Sequence, residues 1–194
     1  TSIKNGKREG AHSVYYENGQ LKGISFLTNG EFDGAMTKYF ESGNLHESFN
    51  YKNGVEHGAF EEYFENGKLK NKGNYKNGKL NGLYEFYYSN GNLDHKTTYK
   101  NGIENGPYVI YYENGVLMEE STFVDGKRFG TFKEYYENGQ LFKDLNLKND
   151  NYDGSFKVYY SNGQLYKKTN YKEGHEIGPW EEYNDNGGLI NKSK

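Results

Sequence analysis

Aromatic residues fall on alternate positions within short runs of this chain, and the runs return at a fixed interval. In Tyr84-Glu85-Phe86-Tyr87-Tyr88, the residues Tyr84, Phe86 and Tyr88 share one parity, which places side chains on one face of a β-strand. No segment carries the period of an amphipathic helix, so the pattern predicts strands throughout. The segment Tyr15-Tyr16-Glu17-Asn18-Gly19-Gln20-Leu21 returns as Tyr39-Phe40-Glu41-Ser42-Gly43-Asn44-Leu45, and again from Tyr63, Tyr87, Tyr111, Tyr135, Tyr159 and Tyr183. Each copy begins 24 residues after the last without insertion or deletion, which gives eight units. A fixed period of this length marks a repeat architecture in which each unit is stabilised mainly by its neighbours.

Half a period out of phase runs a second turn signal: Asn5-Gly6, Asn29-Gly30, Asn53-Gly54, Asn77-Gly78, Asn101-Gly102, Asp125-Gly126, Asn149-Asp150 and Glu173-Gly174. Asn-Gly between aromatic runs signals a tight hairpin, because a type I′ turn needs positive φ at both central residues. A third glycine column follows at Gly10, Gly34, Gly58, Gly82, Gly106, Gly130, Gly154 and Gly178. Glycine is therefore structural punctuation here, not a phosphate-binding loop. Each unit reads as two short antiparallel strands, about sixteen in all, and on the order of 75 Å of ribbon at the usual strand spacing. The expected fold is all-β: an elongated, single-layer antiparallel meander of stacked hairpins, with residues 1–194 as one repeat domain. With two-residue turns Phe64 faces Leu69, Tyr75 faces Leu80, and Gly82 lies opposite Gly73. A three-residue turn stays open at Asn149-Asp150.

Strict alternation then gives one face Phe60, Phe64, Leu69, Tyr75, Tyr84, Phe86, Tyr88, Leu93 and Tyr99. Its mid-strand column reads Val14, Lys38, Glu62, Phe86, Ile110, Glu134, Val158 and Glu182. Charge at equivalent positions predicts a partly wet aromatic groove rather than a sealed core. The opposite face carries the unbroken column Tyr15, Tyr39, Tyr63, Tyr87, Tyr111, Tyr135, Tyr159 and Tyr183. Those rings read as framework that covers the hairpins, with a stacking ladder for a partner or a sugar chain as the other reading. Exposed sites that differ between copies, Ser13, Thr37, Glu61, Glu85, Val109, Lys133, Lys157 and Glu181, change from acidic to basic along the chain. Such a gradient can select one partner orientation; ordinary solvation of a strand face is the alternative.

Composition sharpens this. Only 33% of residues are hydrophobic, which alone would suggest disorder. The 21 Tyr and 12 Phe argue for an ordered but thin structure, since each ring buries much area while tolerating water at one edge. A formal charge of -3 with both signs interspersed gives no field that draws in nucleic acid or anionic lipid. There is no cysteine, hence no disulfide and no thiolate metal site. No apolar run approaches the roughly 20 residues of a transmembrane helix. A chain that begins at Thr1 leaves room for a removed leader, so the cytoplasm and the bacterial periplasm or envelope fit equally.

Candidate chemistry is sparse. Adjacent acids in Glu61-Glu62, Glu119-Glu120 and Glu181-Glu182 point to opposite faces of a strand and do not cooperate across one bond. The histidines His12, His46, His57, His95 and His175 occupy five different phases of the repeat, whereas a repeated metal site would align them. No nucleophile elbow accompanies the serines and threonines. The expectation is no catalytic residue, no cofactor and no metal.

Repeated Tyr-Tyr-x-Asn-Gly-x-Leu followed by Tyr-x-Asn-Gly-x-x-x-Gly resembles the variant MORN repeat (membrane occupation and recognition nexus) of bacterial antitoxin-like and immunity-like proteins. The resemblance spans Ile3 to Leu189, with departures at Asn149-Asp150, where the turn Gly is missing, and at Asn184, where an aromatic is lost. It implies a non-catalytic hairpin stack that neutralises a cognate toxin or effector by binding it. Classical MORN units space their glycines differently, so the membrane association in the name is not carried over. The residues expected to contact a protein partner are Phe60, Glu62, Phe64, Tyr84, Phe86, Tyr88, Tyr108, Tyr112, Glu134 and Tyr136. An envelope glycan-binding module and a scaffold that self-associates through edge strands are the alternatives.

Overall fold

In a computed structural model the described residues run from Ser2 to Ser193. They form twenty β-strands of one antiparallel sheet, with no helix. Pairing follows chain order: Lys7–Tyr15 pairs with Leu21–Thr28, which pairs with Glu31–Tyr39, which pairs with Leu45–Lys52. The count exceeds sixteen for two reasons. Ser2–Lys4 adds a strand, and three long strands are interrupted at His57, Asn81 and Asn105, each just before a glycine of the third column. The chain divides into two compact units. One comprises the residues up to Asn92 with Tyr99–Gly102, the other Leu93–Thr98 with the residues from Ile103 onward.

The Asn-Gly turns are the expected two-residue hairpins. Asn77 and Gly78 have φ of 52° and 73°, and the flanking Lys76 and Lys79 pair, with Tyr75 opposite Leu80. Asn149-Asp150 keeps the same turn, because Asp150 adopts a φ of 67° in place of glycine and Lys148 pairs with Asn151. No third loop residue is used there.

The Tyr-Tyr-x-Asn-Gly-x-Leu turn differs from expectation. The pair is Tyr63 with Leu69, the Phe64 N–H donates to the Lys68 carbonyl at 2.8 Å, and the Gly67 N–H donates to the Phe64 carbonyl at 2.9 Å. The loop is thus Glu65-Asn66-Gly67, a type I turn closed by a left-handed glycine, and Phe64 does not face Leu69. The Asn66 side chain explains the preference: its Oδ1 accepts the Lys68 N–H at 3.0 Å, which stabilises the tighter internal turn.

A second correction concerns the third glycine column. Leu27 pairs with Phe32 and Ser25 with Met36, so Phe26 alone lies opposite Asp33, Gly34 and Ala35. On its other edge the same strand pairs regularly, Gly34 with Tyr51 and Ala35 with Asn50. Each such strand therefore carries a bulge on one side only, hinged at a glycine with φ of 108° for Gly34. Because two residues are extra, an even number, side-chain parity survives the bulge. The same shift displaces Gly82 from Gly73. In register with Glu85 opposite Lys72, it is Tyr84 that meets Gly73.

Repeats are tied together at both ends of the hairpins. On one side the second turn residue donates its N–H to a strand 22 residues earlier: Gly54 to Phe32, Gly78 to Glu56, Gly126 to Glu104, Gly174 to Tyr152. On the other side the Tyr16, Tyr112, Tyr136 and Tyr160 hydroxyls donate to the carbonyls of Tyr39, Tyr135, Tyr159 and Tyr183 at 2.7–2.9 Å. Where Ser42 replaces the turn Asn, Asn44 reaches the Glu65 carbonyl at 2.8 Å instead. The buried apolar core is small, Leu27, Phe60, Phe123, Leu145 and Leu147, and all five lie on one face. That face, which holds the core, is the inner face.

Candidate functional site

The ten residues expected to make contact all map to the inner face or its loop edge, six in the first unit and four in the second. In the first unit Phe60 is only 4% exposed and stacks on Phe49 at 5.1 Å and against Tyr75 at 4.9 Å. It is a floor residue, resting on Gly73. Phe64, Tyr84, Phe86 and Tyr88 are half-buried. Tyr84 meets Tyr99 edge-on at 6.0 Å. Glu62 accepts from Asn71 Nδ2 at 3.1 Å and is 3.5 Å from Lys70 Nζ, so it presents a compensated charge.

In the second unit Tyr108 lies 5.3 Å from Phe123, and Arg128 stacks over both rings. Burial, assisted by Glu119, pushes the Tyr108 phenol above its ordinary pKa. Tyr112 and Tyr136 are half-buried, and their ring planes are fixed by the hydroxyl bonds to the next repeat. Tyr136 also packs on Phe142 at 4.8 Å. Glu134 is paired with Lys143 at 2.8 Å.

The charges of the inner face thus form a compensated lattice. Lys38 bonds Glu47 at 2.6 Å and Arg128 bonds Glu119 at 3.0 Å. Two carboxylate couples do come face to face across strands, Glu47 with Glu62 and Glu119 with Glu134. Each of the four carries its own cation or amide donor, an arrangement that balances charge rather than isolating an acid from a base. Among the described residues no three of His, Asp and Glu converge as a metal would require. His95 instead lies 2.9 Å from Asp94 Oδ1.

The outer face answers the question raised by its varied column. Lys72 lies in register with both Glu61 and Glu85 and is 2.8 Å from the latter. Lys133 is 3.1 Å from Glu120, and Lys168 is 2.8 Å from Glu181. The acidic-to-basic progression is therefore offset by a partner column of opposite sign, Lys72, Glu120, Asp144 and Lys168. The invariant tyrosines tie into the same ladder. Tyr63 donates to Glu61 at 2.6 Å and Tyr135 to Glu120 at 2.9 Å, while Tyr183 donates to Glu181. The hydrogen bond to Glu61, then burial, pushes the Tyr63 phenol up to about 12.

Sequence reasoning missed Arg128, the counter-charges Lys70 and Lys143, and the amide donor Asn71. The signal was present in columns that went unread: Arg128 shares its column with Arg8, Phe32, Glu56, Leu80, Glu104, Tyr152 and Glu176, which also mixes charged and apolar side chains.

A family model described as MORN repeat variant matches residues 8–29, 32–53, 56–77, 80–101, 104–125, 130–149 and 152–173. No curated protein matches the chain. Among solved structures, a chain in the crystal structure of TcdB2-TccC3-Cdc42 is similar at 14% identity with a TM-score of 0.23. That similarity covers 93% of this chain, which spans 13% of the length of the other.

Proposed function

The chain belongs to the MORN repeat variant family, and from that footing we propose that it is a binding protein whose inner aromatic face docks a protein partner. The family is generally non-catalytic, and its repeats commonly bind membranes or proteins. The observation that carries the reading is the row of half-buried inner-face rings whose orientation is fixed in advance. Tyr112 and Tyr136 are held by hydroxyl bonds to the neighbouring repeat, so little side-chain freedom is lost when a partner covers them. Rigid aromatic anchors among compensated charges are the composition of an interface centre. A protein fits better than a membrane because the net charge is -3 and the cations of the inner face are largely paired, which leaves little to attract anionic lipid.

The finer form of the proposal is inhibition: the partner is a toxin or secreted effector that the chain neutralises by covering it. Its support is the kinship of the repeat alone. The test is affinity capture from the source cells with identification by mass spectrometry, followed by assay of the captured protein's activity with and without the chain. Changing Phe86, Tyr88 and Tyr112 together to Ala is expected to weaken capture by at least about tenfold while the β-sheet circular dichroism is kept. Unchanged capture would reject the inner face as the contact. Undiminished activity of the captured protein would reject inhibition while leaving binding intact, and cosedimentation with anionic vesicles in place of protein capture would favour a membrane ligand.

A further inference from the structure

The same place on the inner face occurs twice in the chain with contrasting chemistry. Between the strands Lys127–Tyr135, Leu141–Lys148 and Asn151–Tyr159 lies a concavity of about 240 Å³ whose wall charges are paired. Lys143 bonds Glu134, Arg128 bonds Glu119, and the floor is closed by Leu145, which is 2% exposed. Five repeats earlier, between Lys7–Tyr15, Leu21–Thr28 and Glu31–Tyr39, a concavity of the same size has lost that compensation. Val14, Gly23 and Ser25 stand where Glu134, Lys143 and Leu145 stand in the later copy.

With Gly30 also in place of Asp150 and His12 in place of Phe132, two carboxylates, one ammonium and one isobutyl group are gone, which leaves a largely apolar trough with the His12 imidazole in its wall and cations at its ends. Val14 (46% exposed), Leu27, Phe32 (40% exposed) and Met36 line it. The register puts Lys38 beside Gly23 at one end, and Phe32 beside Leu27 towards the other, where Arg8 lies. Lys22 joins Lys38 at its end. Lys38 is already bonded to Glu47 at 2.6 Å. Lys22 has no carboxylate within ion-pair distance among the described residues, in contrast to Lys70, Lys143 and Lys167 of the same face. Lys22 instead rests over the Tyr16 ring at 5.3 Å. An exposed apolar surface flanked by uncompensated positive charge is complementary to an anion with an apolar body.

We infer that the trough at Gly23 binds a small organic acid, a carboxylate carried on a compact hydrocarbon chain, with the chain on Val14, Phe32 and Met36 and the carboxylate at Lys22. The size supports a short or medium chain, since pockets for drug-sized ligands begin at roughly 300 Å³. The trough lies on the same inner face but shares none of the ten residues expected to contact a protein, so either proposal can fail without the other.

Isothermal titration of the intact chain with octanoate, octanol and octylamine tests it, with chemical shifts at Ser25 and Met36 reporting location. Octanoate is expected to bind one per chain, about tenfold or more tighter than octanol, with octylamine weakest. Val14→Glu supplies the carboxylate that Glu134 supplies in the later copy and is expected to weaken octanoate binding by at least about tenfold. Lys22→Gln is expected to weaken it severalfold while the far-ultraviolet circular dichroism stays unchanged. Octanol binding as tightly as octanoate would overturn the inference, as would full binding by the Val14→Glu chain or no saturable binding up to about 1 mM.

Discussion

Gly73 sets the limit of packing at the scale of single residues. A Cβ there would approach Phe60 Cε1 to 2.8 Å and Tyr84 Cδ2 to 3.3 Å. Its glycine is required by the two rings that close over it, not by backbone conformation. Gly73→Ala should therefore cost about 1–3 kcal/mol of stability by forcing Phe60 off its floor position, read as a fall in the urea midpoint. The tyrosines make a second prediction. Tyr63 is raised to about 12, chiefly by its bond to Glu61, and Tyr87, Tyr108 and Tyr135 are raised chiefly by burial. A phenol whose folded pKa is raised contributes stability that is fully present below its unfolded value near 10. That stability is lost as pH rises through the folded value. Urea midpoints should thus hold steady from neutrality to about pH 10 and fall steeply towards pH 12. A flat profile across that window would contradict the hydrogen-bonded and buried phenols described here.

At the scale of the hairpin, the repeat period made the element order legible, and the Asn-Gly turns made the register at Tyr75 and Leu80 legible. Two features escaped. Tyr-Tyr-x-Asn-Gly-x-Leu contains the same dipeptide but closes three residues, because the Asn66 side chain caps the Lys68 N–H; flanking side-chain bonds decide that choice, and dipeptide identity does not record them. The one-sided bulge at Gly34 was hidden because its two extra residues preserve parity, so the hydrophobic pattern reads the same with or without it. The inner face was consequently foreseen correctly in kind while the pairing of Gly73 was not. The degenerate turns give a prediction of their own. Glu173 has a φ of 51° where most other copies place Asn at 50–54°. Since Asn adopts the left-handed region at lower cost than Glu, Glu173→Asn should stabilise the chain by about 0.5–1 kcal/mol, seen as a raised urea midpoint with an unchanged slope.

For the whole molecule, the two faces of the sheet divide the labour. The outer face largely satisfies itself: its charges alternate across strands, and the Tyr63, Tyr87, Tyr135 and Tyr183 hydroxyls are bound to carboxylates of that ladder. The inner face carries rings set by hydroxyl bonds from repeat to repeat, and its differences between copies lie in which charges accompany those rings. The face on which the ten residues expected to make contact lie was readable from parity alone, because parity survives the bulges. The ion pairs that neutralise Glu62 and Glu134 were not, because they depend on which residues the strand register brings opposite each other. A partner that docks on the inner face shields one set of tyrosines and leaves the other open. Tyrosine-specific chemical modification, resolved residue by residue with mass spectrometry on the chain alone and on its captured complex, distinguishes the two faces that share one backbone. Protection of Tyr84, Tyr108, Tyr112 and Tyr136 with unchanged labelling of Tyr63, Tyr87 and Tyr135 is the predicted result; protection of the latter three with the inner tyrosines still labelled would contradict it.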